Sequence, residues 1–186
     1  MADYFEPTII QQTIPDGDMT RLERLLLSHI FECEQDGEGW YFYADQGPST
    51  EIWVTMPELK EALEVRPDPA SVAHIWVTEQ LAAIDPDDEA AEIELDLSGV
   101  SWEFFLQNIV KRSRTLTYVS VVAAFTCSRM RPDGFGGAAT LITADAILGK
   151  STVTLIEDFL ADAGLDGSAG PGGEVTTPAV PGGEAP

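Results

Sequence analysis

A chain of 186 residues with 32 acidic against 10 basic side chains, net charge −22, is long enough for one ordinary domain. Such acidity excludes direct binding to nucleic acid or to an anionic membrane through the bulk surface, and a hydrophobic fraction of 44% excludes a wholly disordered chain. The N-terminal MADYFEP has no basic or apolar signal region, no apolar run approaches the ~18 residues of a spanning helix, and Cys33 and Cys127 are too few for a disulfide framework; a cytoplasmic protein with reduced thiols is expected.

The first 17 residues hold a short β-prone run, Thr8 to Ile14, closed by Pro15, Asp16 and Gly17. Thr20-Arg21-Leu22-Glu23 has the form of a capping box. The helix it opens should bury Leu22, Leu25, Leu26, His29, Ile30 and Cys33 and end at Gly37 and Gly39. Two β runs come next, Trp40 to Ala44 and Ile52 to Thr55, joined through a Gly47-Pro48 turn. Thr55-Met56-Pro57-Glu58 starts a second helix, to about Val65. Asp68-Pro69 starts a third, through Trp76 to Ile84, and Pro86 prevents any continuation as helix.

Ile93 to Leu97 alternates with Glu92, Glu94 and Asp96, which predicts a half-exposed strand with an acidic outer face. Ser101 is placed to cap a helix reaching about Ser113, with Lys111 and Arg112 favourably in its last turn. Leu116 to Ile147 is the stretch around which the chain is organised. It reads as a β-hairpin turning at Pro132, Asp133 and Gly134, and the apolar run Val119 to Phe125 predicts a central strand buried on both faces. Ser151 or Thr152 then caps a last helix through Phe159 to Ala163, stopped by Gly164. Residues 166–186 have almost nothing to bury and are expected to form a disordered, Gly/Pro-rich tail. The expected fold is a single α+β domain over residues 1–165, an antiparallel sheet centred on the C-terminal hairpin with helices packed on it.

Charge is unevenly placed. Residues 1–110 hold 24 acids and 4 bases, whereas residues 111–150 hold 2 acids and 6 bases. A surface that merely solvates the protein would be spread more evenly. Glu34, Asp36 and Glu38 form one acidic cluster; Asp87, Asp88 and Glu89 run into Glu92, Glu94 and Asp96 as another. Alternating acids on a strand stand in a row, so these nine are the candidate partner-binding face. The expected partner is a basic protein, one that binds nucleic acid, because a carboxylate ridge can occupy a channel built for phosphates.

Other patterns carry less. Glu32 to Tyr43 places Glu32, Glu34, Asp36 and Gly37 as a calcium loop does, but Tyr43 stands where the closing bidentate Glu belongs. Gly149-Lys150-Ser151-Thr152 resembles the end of a phosphate-binding loop, yet Ala144 replaces the required first glycine. His29 and Cys33, four apart, are half a metal site without a second half, and core packing explains them. Arg112, Arg114, Arg129, Arg131 and Lys150 could converge on an anion, although neutralising the acidic N-terminal region is the simpler role. The alternative function is a small-ligand or enzyme site at the hairpin mouth built from Arg129, Arg131, Asp133 and Asp145. No catalytic or metal-binding set and no cofactor is assigned.

Two stretches resemble the ArdB/KlcA-type antirestriction proteins of plasmids and phages: Gly39-Trp40-Tyr41-Phe42-Tyr43, and Gly134-Phe135-Gly136-Gly137 followed by Thr143-Ala144-Asp145-Ala146. The intervening region is much longer here, and Ile147-Leu148-Gly149 breaks the second motif. The resemblance implies a small α+β protein that interferes with restriction or another host defence without catalysis of its own. It implies no catalytic residue.

Overall fold

Backbone pairing and helix caps fix the local structure of a computed structural model that describes residues 2–84 and 92–165. The protein is α+β, and every strand pair among the described residues is antiparallel. It divides into two compact units, Met1–Ser151 and a second that begins at Thr152.

In the first unit the strands are β1 (Tyr4–Phe5), β2 (Thr8–Ile10), β3 (Ile14–Pro15), β4 (Glu32–Asp36), β5 (Gly39–Ala44), β6 (Glu51–Thr55), β7 (Glu92–Asp96), β8 (Tyr118–Cys127), β9 (Gly136–Thr143) and β10 (Ile147–Ser151). The helices are α1 (Arg21–Ile30), α2 (Met56–Glu64), α3 (Val72–Ala83) and α4 (Trp102–Arg112). The main sheet runs β10-β9-β8-β2-β5-β3, with β1 added on β8 and β4 added on β5. β6 and β7 form a separate two-stranded ribbon. One core joins them: Leu26 and Ile30 of α1, Phe105 and Ile109 of α4, Val119 and Val121 of β8, and Ile52 and Leu95 of the ribbon are all buried.

The capping box at Thr20 forms as the sequence predicts. Its hydroxyl accepts from the Glu23 N–H at 3.1 Å, and the Glu23 carboxylate accepts from the Thr20 N–H at 2.9 Å. The helix it opens is shorter than expected. It stops at Ile30, Phe31 turns extended, and Glu32–Asp36 is a strand paired residue by residue with β5 across the turn at Gly37, whose φ is +60°. Long-range pairing overrides the local helical pattern here. Cys33 consequently lies on β4, and His29 is exposed outside the buried stripe, which instead takes Glu23 and Leu27.

The hairpin is present and central, with β8 paired to β9 on one side and β2 on the other. Its first strand, however, is buried on one face only. Val119 and Val121 are inside, whereas Tyr118 and Val122 are 47% and 41% exposed. A helix layer covers one side of this sheet in the first unit, so alternation from Tyr118 to Val122 replaces the two-sided burial expected from the apolar run, and Phe125 further along is exposed. A third strand, β10, extends the hairpin and holds Gly149 and Lys150 in regular pairing with Thr140 and Ala139. They are strand residues, not a phosphate-wrapping loop. Ser101 precedes α4 without capping it; its hydroxyl donates to Glu103 instead.

Close strand approach makes Gly39 sterically necessary. A Cβ there would stand 2.7 Å from the Ile14 carbonyl oxygen and 2.7 Å from Thr13 Cγ2. Gly39→Ala should therefore cost about 1–3 kcal/mol, read as a lower urea midpoint at unchanged slope.

The second unit holds α5 (Thr152–Asp162), none of whose residues is buried. Gly164, at φ +69°, ends it as expected, its N–H donating to the Ala161 carbonyl at 3.0 Å. The expected tail, 166–186, lies outside the described residues.

Candidate functional site: an acidic two-stranded ribbon

The ribbon arises directly from alternation. Ile52 and Val54 of β6, and Ile93 and Leu95 of β7, turn inward and are at most 9% exposed. Their neighbours must then face out, and the register sets Glu51 opposite Asp96, Trp53 opposite Glu94, and Thr55 opposite Glu92. The outer face is a short field of four carboxylates around an indole that is 53% exposed.

One feature of this face opposes folding. Like charges directly opposite on a sheet destabilise it, and Glu51 faces Asp96. Trp53 adds a large exposed aromatic to the face, as Tyr4, Phe104 and Phe135 do elsewhere. None of Glu51, Glu92, Glu94 and Asp96 is in an ion pair among the described residues; the cations pair elsewhere, Arg21 with Glu61, Arg24 with Asp16, Arg112 with Glu23 and Asp68, and Arg131 with Asp133.

Asp96 also closes the turn beyond β7. Its carboxylate accepts from the Ser98 N–H at 2.8 Å and the Ser98 hydroxyl at 2.9 Å. The backbone bond, then the hydroxyl bond, hold the Asp96 carboxyl below its ordinary value of 3.8. A lowered folded-state pKa stabilises the fold above the unfolded value, and that contribution is lost as pH falls through the lowered one. Asp96→Asn should thus flatten the pH dependence of stability below pH about 4, measured by denaturation at several pH values.

The other nominated acids divide. Glu34 and Asp36 lie on β4, an edge of the main sheet, and Glu38 lies in the turn after it. Glu34 accepts from the Tyr43 hydroxyl at 3.1 Å, an interaction that pushes the phenol pKa up, and Asp36 accepts from the Thr13 hydroxyl at 2.6 Å. Charges on an exposed edge strand also discourage edge-to-edge pairing, a role that needs no partner. On a strand Glu32, Glu34 and Asp36 point to one side in a row, so they cannot wrap an ion as a calcium loop does. No group of three or more metal-ligating side chains is gathered among the described residues. Asp87, Asp88 and Glu89 lie outside the described residues.

The hairpin-mouth residues are not brought together. Arg129, Arg131 and Asp133 sit in the connection between β8 and β9, where Arg131 Nε lies 3.6 Å from Asp133 and its Nη1 donates to the Tyr4 hydroxyl at 3.5 Å. Asp145 lies in the turn after β9, at the far end of a strand about 24 Å long. Arg112 has the neutralising role expected of it, bridging Glu23 and Asp68. Sequence reasoning misses Trp53 and Glu51 although a signal is there: Glu51-Ile52-Trp53-Val54-Thr55 alternates as plainly as Glu92 to Asp96 does.

Fold and site define an α+β protein with an acidic ribbon whose carboxylates make no ion pair among the described residues. No protein-family model matches the chain, and neither a curated protein nor a solved structure shows significant similarity to it. No helix among the described residues is long and apolar enough to cross a membrane.

Proposed function

We propose that this is a non-catalytic interaction protein whose β6–β7 ribbon docks on a basic protein surface, with Trp53 as the central anchor. The observation that carries the reading is placement: an exposed indole among four carboxylates that no described cation neutralises. Buried aromatics ringed by polar groups dominate protein–protein affinity, and an arginine of the partner can stack on the indole while its neighbours meet the carboxylates.

Magnitudes narrow the partner. Four carboxylates over the ~13 Å of a five-residue strand compare with about eight phosphates on the same length of duplex DNA. The ribbon therefore carries roughly half the line charge of a duplex. On this reading the ribbon competes with nucleic acid for the cations of a binding cleft. The narrower anti-defence reading proposes a restriction enzyme or another defence protein as the owner of that cleft, and it draws on the two resembling stretches. Their residues already have structural work: Gly39 lies against Ile14, Gly134 against Cys127, Gly137 against Ala123, and the Thr143 hydroxyl accepts from the Ala146 N–H at 3.0 Å. The resemblance thus speaks first to fold.

Trp53→Ala is the direct test. Titrated calorimetrically against a synthetic arginine-rich peptide, the variant should bind about 30-fold more weakly than the parent, the loss of roughly 2 kcal/mol expected at a central anchor. Unchanged affinity would remove Trp53 from the interface and with it this reading.

A further inference from the structure

Away from the ribbon, a cavity of about 240 Å³ opens where the start of α1 meets the end of α2. Its lining includes Arg21, Arg24 and Arg66, three of only 10 basic residues in a chain with 32 acids. The only carboxylate of the lining is Asp16. Three cations against one anion leave this lining with a formal charge of +2, opposite in sign to the molecule.

Two of the arginines are held in place before any ligand arrives. Arg24 Nη1 donates to Asp16 at 2.7 Å, Trp40 Nε1 donates to the same Asp16 oxygen at 2.9 Å, and the Arg24 guanidinium lies 5.5 Å from the Trp40 ring centre. Arg21 is tied to Glu61, outside the lining, at 2.9 Å. Each guanidinium has five donors, so one ion pair leaves others to face the cavity.

Arg66 is different. It is the only non-glycine residue with positive φ among the described residues, at +52°, and it makes no ion pair there. It follows Val65, the residue that caps the C-terminus of α2, where a left-handed conformation is normally given to glycine because a Cβ is strained there. Glycine would close the turn with less strain. Arginine adds a third cation facing the same cavity, and backbone strain of this kind concentrates at ligand clamps.

We propose that this cavity is a phosphate-binding site, taking a phosphate dianion either free or as the group of a phosphomonoester. Guanidinium forks match the oxygen geometry of phosphate, and a dianion neutralises the +2 lining. The volume, below the ~300 Å³ at which pockets for larger organic ligands begin, fits a small anion or one terminal group.

The test is calorimetric titration of the full chain at neutral pH with inorganic phosphate and, separately, with phenyl phosphate. Saturable binding of either supports the site, and the tighter of the two identifies its source. Arg66→Gly separates the site from the fold: relief of the left-handed strain should raise the melting temperature without phosphate, while phosphate affinity falls about tenfold or more. Arg24→Lys, which keeps the charge and loses the fork, should also weaken binding. Failure of both anions to bind saturably, or Arg66→Gly binding as tightly as the parent, would overturn the proposal. Neither outcome bears on the ribbon.

Discussion

Arg112→Ala should lose about 3–5 kcal/mol of stability, because it strands a buried charge. Glu23 is fully buried on α1. One of its carboxylate oxygens accepts both from the Thr20 N–H, at 2.9 Å, and from Arg112; the other has no partner among the described residues. Arg112 also reaches Asp68 at 2.8 Å and the Asp18 carbonyl at 3.3 Å, so one guanidinium ties the ends of α1 and α4 to the loop before α3. Removing it leaves the buried Glu23 carboxyl with the Thr20 N–H as its remaining donor, too little to offset its desolvation. Denaturant titration should show the loss, and adding Glu23→Gln should recover most of it, since glutamine keeps the cap without the charge. A loss below about 1 kcal/mol for the single change would show that water reaches Glu23 and that the pair matters little.

Phe105→Ala should cost a similar amount, about 3–5 kcal/mol, by a different mechanism. Phe105 is 0% exposed on α4, and its ring centre lies 6.2 Å from that of Trp76 on α3. Truncation opens a cavity at the α3–α4 contact and removes that aromatic contact. Phe105 and Arg112 lie on one face of α4 about 10 Å apart, far enough for their effects to add. Together they would remove most of a typical domain's roughly 5–15 kcal/mol, so circular dichroism of the double variant should show a largely unfolded chain at about 25 °C. A cooperative native transition in that variant would contradict additivity across α4.

Much of this architecture is written in local patterns. Caps at Thr20 and Thr55, the glycine stop after α5 and the Glu92 to Asp96 alternation each depend on residues within four positions, and each appears where the pattern puts it. What local pattern cannot reveal is pairing. Glu32 to Asp36 scans as helix continuation, and only β5 makes it a strand. Val119 to Phe125 scans as doubly buried, and only the arrangement of helices leaves Val122 exposed. The same holds for the sites. The acidic row on β7 is legible, but not that β6 completes it with Glu51 and Trp53. Arg21, Arg24 and Arg66 give no signal, because 42 positions separate the last two from each other and a helix–helix contact unites them.

The proposed ribbon interface depends on position rather than on bulk acidity, and two variants of equal charge decide it. Glu92→Lys with Glu94→Lys, and Glu64→Lys with Glu79→Lys on the exposed sides of α2 and α3, both shift the net charge from −22 to −18. Titrated with the same arginine-rich peptide at low and moderate salt, the ribbon variant should lose binding at least tenfold while the helix variant stays near the parent. Equal weakening of the two would show a diffuse electrostatic attraction and contradict the assignment of the ribbon.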